Sequence, residues 1–131
     1  MTDTLPLTPY AFVLAVNDMD KSAAYFRDAL GFRLDWADSS DWRLMVRGGM
    51  RVMLGHCPDA VPASQTGDHS YFGYLEVADV DALHAEFVRQ GALILSPPTD
   101  RPYLMREMTV ATPDGHRFVV GHSLGQVSAG E

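Results

Sequence analysis

The residues of this chain with the chemistry for acid–base or metal work are few and dispersed. Five histidines, His56, His69, His84, His116 and His122, offer imidazole nitrogens, common metal donors that also titrate near neutral pH. Four of them fall near the ends of apolar runs that read as strands, and His84 falls within a segment of helical period. Glu76 and Glu107 are carboxylates placed on strand-like segments. Such a group, withdrawn from water, has its pKa raised and can act as a general base. The competing reading leaves Glu76 in water at a strand end and pairs Glu107 with Arg101 or Arg106. Cys57 is the sole cysteine, so it forms no internal disulfide, which fits a reducing cytoplasm. It reads as a small half-buried hydrophobe, with a reactive thiol as the alternative.

The elements that must position these groups come in duplicate. Leu14-Ala15-Val16-Asn17-Asp18-Met19-Asp20 is echoed by Leu75-Glu76-Val77-Ala78-Asp79-Val80-Asp81, 61 positions later. Phe26 returns as Phe87 at the same offset, and Gly31 returns as Gly91 at 60. A period this long, present twice, does not build a solenoid. It predicts two similar half-domains about a pseudo-two-fold axis, with a groove between them for a small molecule.

Each half reads as strand, helix, then three strands. Tyr10 to Val16 is a buried strand, and Asn17 and Asp18 offer an N-cap. Met19, Ala23, Phe26 and Leu30 form an apolar stripe of helical period, closed by Gly31. Phe32 to Trp36, Trp42 to Arg47 and Met50 to His56 read as strands, the last two joined by Gly48-Gly49. Cys57 to His69 reads as a linker. The order then recurs: strand Tyr71 to Val77, a helix carrying Val80, Leu83 and Phe87, and strand Ala92 to Leu95. Ser96 to Tyr103, with three prolines, reads as a long connection to a hairpin of Leu104–Thr112 and His116–His122. The expected organisation is one domain over 1–131. Its modules are 9–56 and 70–122, separated by the linker 57–69, and 123–131 is a tail.

Composition narrows the function. With 131 residues, 47% hydrophobic and 21% charged, the chain is expected to be globular. A formal charge of -7 with scattered basic residues argues against nucleic acid. No apolar run is long enough to span a bilayer, and Met1 to Pro9 shows no secretory signal, so no membrane partner and a cytoplasmic location are expected. The acidity either steers a cationic ligand or only maintains solubility.

The pattern Leu14-x-Val16-x-Asp18 leading to Ser22-x-x-x-Phe26-Arg27-Asp28-x-Leu30-Gly31-Phe32 resembles the vicinal oxygen chelate superfamily of glyoxalases, extradiol dioxygenases and bleomycin resistance proteins. So does Arg106-Glu107-Met108-x-Val110-x-x-Pro113-Asp114-Gly115 in the second half. The resemblance covers about residues 9–122 and implies an α+β fold of two βαβββ modules forming paired curved mixed sheets. It also implies a homodimer whose cups are often completed across the subunit interface. The superfamily's enzymes hold a divalent metal with His, Gln and Glu side chains. Carried over onto this chain, those positions are Ala11, Met53, Phe72 and Val119, none able to chelate a hard or borderline metal. The histidines nearest these positions, 56, 69, 116 and 122, are offset by three residues, so strand alternation turns them to the other face. No metal, cofactor or catalytic residue is therefore assigned.

With its ligands replaced, the implied cup becomes an apolar pocket lined by Ala11, Val13, Met53, Phe72, Tyr74 and Val119. Trp36 and Trp42 flank the first hairpin, and Tyr103 stands at the corresponding place in the second half. Facing aromatic walls suit a planar or cationic ligand; the alternative is that these rings fill the core or a dimer interface. The pattern is most similar to the drug-sequestering, bleomycin-resistance branch. The expected function is metal-independent binding of an antibiotic-like small molecule. The alternatives are a metal-dependent enzyme with atypical ligands, a metal-free isomerase or lyase using Glu76 or Glu107, and a scaffold whose cup is filled.

Overall fold

In the computed structural model, which describes residues 4–38 and 41–125, the two halves of the repeat start their helices in the same way. The Asp18 carboxylate accepts from the Lys21 N–H at 3.1 Å, capping α1 (Met19–Asp28). Asp79 accepts from the Ala82 N–H at 3.1 Å, capping α2 (Val80–Gln90). The helix ends differ. Gly91, at φ 84°, directly follows α2 and lets the Ala92 N–H reach the Phe87 carbonyl at 2.9 Å. Gly31 does not directly close α1 as its counterpart closes α2. The helix gives way at Ala29, still right-handed, and the left-handed residue comes two positions later.

The eight strands are β1 (Phe12–Val16), β2 (Arg33–Asp38), β3 (Trp42–Arg47), β4 (Met50–His56), β5 (Tyr71–Glu76), β6 (Leu93–Asp100), β7 (Met105–Ala111) and β8 (Arg117–Ser123). They form two four-stranded sheets in the orders β1-β4-β3-β2 and β5-β8-β7-β6. In each, the first strand pairs parallel with the last and the remaining pairs are antiparallel. This is an α+β fold of two βαβββ modules with mixed sheets, so the sequence repeat is a structural repeat.

One reading is corrected here. The proline-bearing stretch from Ser96 is not simply a connection, because β6 continues through Pro97 and Pro98 to Asp100. The strand lies at the edge of its sheet, where a residue without an N–H leaves no ladder partner unpaired. Its register against β7 shifts twice, between Ile94 and Ser96 and between Ser96 and Thr99. The linker region is also ordered in part, with short 3₁₀ turns at Ala63–Gln65 and Gly67–Ser70. Residues 126–131 of the expected tail lie outside the described residues.

A single hydrophobic cluster joins the modules. Leu14, Met45, Val52 and Leu54 of the first sheet meet Met108, Val110, Phe118 and Val120 of the second, with Phe26 and Phe87 of the helices among them. Polar ties cross the same seam. Arg47 on β3 grips Glu86 on α2 through two hydrogen bonds of 2.7 and 3.1 Å. The Tyr25 hydroxyl donates to the Ala111 carbonyl at 2.6 Å and accepts from the Leu93 N–H at 2.9 Å. Each sheet thus spends one face on a common core. Its other face is turned away from that core.

Candidate functional site

Strand alternation decides what those outer faces carry. On the first sheet, Val13 pairs with Met53, Met53 with Leu44, and Leu44 with Trp36, a row that crosses all four strands. Trp42 occupies the neighbouring row opposite Gly55. A Cβ added at Gly55 would sit 2.8 Å from the Trp42 ring, so the bare glycine is what lets the indole lie flat on the sheet. Leu44 is fully covered beneath these side chains, whereas Val13, Trp36 and Trp42 are exposed at 62%, 37% and 38%. The result is an apolar shelf edged by two indoles.

The second sheet's outer face is polar at one end. Tyr74 pairs with Val119 and Val119 with Thr109; in the next row Glu76 pairs with Gly121 and Gly121 with Glu107. Glu107 is only 6% exposed. Its Oε2 accepts from the Tyr74 hydroxyl at 2.6 Å and its Oε1 from the Tyr103 hydroxyl at 2.5 Å, with Arg101 Nε at 3.5 Å from Oε1. Arg106 is turned away and bound to Asp81 and Asp100. Burial, and then the Glu107 hydrogen bond, push the Tyr74 phenol well above its ordinary range. For Tyr103 the hydrogen bond to Glu107 is the main cause of the same upward shift.

The sign of the resulting pH dependence follows directly. Unfolded tyrosines lose their protons near pH 10, whereas these phenols stay protonated in the fold. Their contribution to stability is complete below about pH 10 and is lost as the pH rises beyond it. The melting temperature should therefore fall above pH 10, and Tyr74→Phe should flatten that fall. An equally steep alkaline decline in the variant would contradict the assignment.

The nine candidate lining residues do not meet in one hollow of the chain. Val13, Met53, Trp36 and Trp42 share the first sheet's outer face. Tyr74, Val119 and Tyr103 belong to the second module's outer side. Phe72 is corrected: a register shift between Tyr71 and Gly73 turns its ring into the core, edge-on to Phe12 and tilted against Phe118. The groove expected between the modules is present, with a lining other than the expected one. It is a cavity of about 540 Å³ lined by side chains such as Phe12, Phe32, Leu83, Phe87 and Val120, and Ala11 is the one candidate residue on its wall. A smaller hollow of about 260 Å³ lies on the second outer face among Tyr71, Thr109, Arg117 and Val119.

Two of the histidines serve the scaffold. His122 Nδ1 accepts from the Val80 N–H at 2.9 Å, and His116 packs edge-on against Phe72, where burial lowers its pKa. The His69 side chain lies outside the described residues. Among the described residues no three His, Cys, Asp or Glu side chains gather as a metal site. The side chains at the four positions equivalent to the superfamily's ligands, Ala11, Met53, Phe72 and Val119, do not fit a metal: a methyl, a thioether, a core phenyl and an isopropyl offer no oxygen or imidazole donor. Sequence reading weighed Glu107 but missed its two phenol partners. Tyr103 lies only four residues away, yet across a strand boundary where spacing says nothing about facing.

No helix among the described residues is long and apolar enough to cross a membrane. The model of the Glyoxalase/Bleomycin resistance protein/Dioxygenase superfamily matches residues 9–120. No curated protein matches the chain in sequence. Among solved structures, it is similar to the bleomycin-binding protein from bleomycin-producing Streptomyces verticillus, complexed with copper(II)-bleomycin. That match has 25% identity and a TM-score of 0.68, and covers 94% of this chain and 100% of that one. TioX from Micromonospora sp. ML1 is similar at 24% identity and TM-score 0.67, with coverage of 94% and 100%. Lactoylglutathione lyase from Agrobacterium tumefaciens shares the fold at 16% identity and TM-score 0.69, covering 91% and 96%. A binding protein and an enzyme thus stand on the same scaffold.

Proposed function

The chain belongs to the Glyoxalase/Bleomycin resistance protein/Dioxygenase superfamily, and from that membership we propose that it binds a small planar aromatic molecule of antibiotic type, one for one and without converting it. The observation that carries this reading is the indole-edged shelf of Val13, Met53, Trp36 and Trp42, at a place where the superfamily's enzymes keep metal ligands. Indole faces left partly bare gain by stacking on a flat ligand. Methionine beside them adapts to its outline. The antibiotic-binding neighbours, the bleomycin-binding protein and TnmS3, support the same class of ligand.

Both outer faces are open in a single chain, so a second copy would complete them and the working form is a homodimer. Base catalysis through Glu107 is disfavoured by its surroundings. Both carboxylate oxygens already accept phenol protons, and Arg101 stands beside one of them, so neither oxygen is free to take a proton from a substrate.

A fluorescence titration tests the reading. Across a panel of intercalating and glycopeptide antibiotics, at least one compound should change tryptophan emission saturably at about one molecule per chain and be recovered unaltered. Stoichiometric, tightly held nickel, zinc, iron or manganese in the purified protein, or chemical change of the bound compound, would overturn it.

A further inference from the structure

The tyrosines around Glu107 form a constellation that the aromatic shelf does not use. The Tyr74 and Tyr103 hydroxyls both spend their only proton on the buried carboxylate. What each phenol oxygen has left is acceptor capacity. Tyr74 and Tyr103 are exposed at 43% and 60%, whereas Tyr71 pairs directly with Arg117 and shares a hollow with that cation. Ring faces beside a desolvated negative charge form the usual setting for an organic cation.

The charges around the site leave it negative. Glu76 shares the row of Glu107 through Gly121, and Arg101 offsets one of these two carboxylates. Arg117 lies four residues along the ladder, about 13 Å away at the rise of a strand, and donates to Ser70 Oγ and the Gly67 carbonyl.

We infer that this end of the second outer face is a cation subsite, in which Glu107 and the rings of Tyr74 and Tyr103 take an alkylammonium group of the bound molecule. The inference deepens the binding reading and rests on it. A cationic group placed there meets ring faces, the negative ends of two phenol dipoles and the Glu107 charge behind them. A neutral group of the same shape gains only the ring contacts.

The test uses the full chain with choline and its neutral isostere, 3,3-dimethyl-1-butanol, followed by NMR at the tyrosine ring resonances. Choline should shift the Tyr74 and Tyr103 signals saturably and bind about five- to tenfold more tightly than the alcohol, the scale of a partly desolvated cation–π and charge contact. In Glu107→Gln that preference should fall to near one. Tyr103→Leu, at an exposed position, should weaken choline while the chain stays folded at the temperature of the titration. Its melting temperature should be lowered only by the loss of one hydrogen bond to Glu107, which keeps the test open should the first variant misfold. Equal binding of choline and the alcohol, or no shift at these tyrosines, overturns the subsite. That failure is separable from failure of the shelf: the antibiotic titration is read at the tryptophans of the other sheet and uses neutral as well as charged compounds.

Discussion

Phe26→Ala should destabilise the chain by about 3–5 kcal/mol, and Phe87→Ala by a similar amount, the usual scale for emptying a buried phenyl site. The two residues hold equivalent places in the repeat and are exposed at 0% and 2%. Phe26 packs edge-on to Phe32 with centroids 5.2 Å apart, and the Arg47 guanidinium stands 5.7 Å above the Phe87 ring. Truncation at Phe26 leaves a closed void that the sheets on either side cannot collapse to fill, and at Phe87 it strips a wall from the cavity between the modules. Both rings also belong to one cluster that takes side chains from both modules. Denaturant unfolding of each variant should therefore remain a single transition, shifted as a whole. Two transitions, with one module melting alone, would disprove the shared core.

Trp42→Ala should weaken the antibiotic-type ligand by about 1–3 kcal/mol, the loss expected when a stacking wall is removed. Stability should change less, because the indole is 38% exposed and lies over a glycine instead of filling the core. Gly55→Ala supplies a control that keeps the indole but displaces it. Its new methyl, 2.8 Å from the ring, must tilt the indole off the sheet and should lower affinity in the same direction. A large loss of stability with binding intact would identify Trp42 as a packing residue. Isothermal titration of each variant beside its melting curve separates the two results.

Much of the fold could be read from the chain alone, because the relevant physics is local. The aspartates that cap both helices, the Met19-Ala23-Phe26-Leu30 stripe and the Gly48-Gly49 turn are interactions within a few residues. The 61-residue echo then said that the same module occurs twice. The outward alternation of Val13 and Met53 was equally legible, since period-two patterning survives wherever a strand stays regular. It failed where the strand did not: the shift between Tyr71 and Gly73 turned Phe72 into the core, and no feature of that short stretch announces it. Pro97 and Pro98 argued against a strand, because only the sheet order reveals that β6 is an edge that tolerates them. The union of Glu107 with Tyr74, 33 residues distant, depends on the strand order within the second sheet, and the location of the cavity between the modules on how the two sheets dock. Periodicity along a chain specifies which side of an element is apolar. Which other element covers that side, and what the uncovered side then meets, is settled by contacts between residues far apart in sequence.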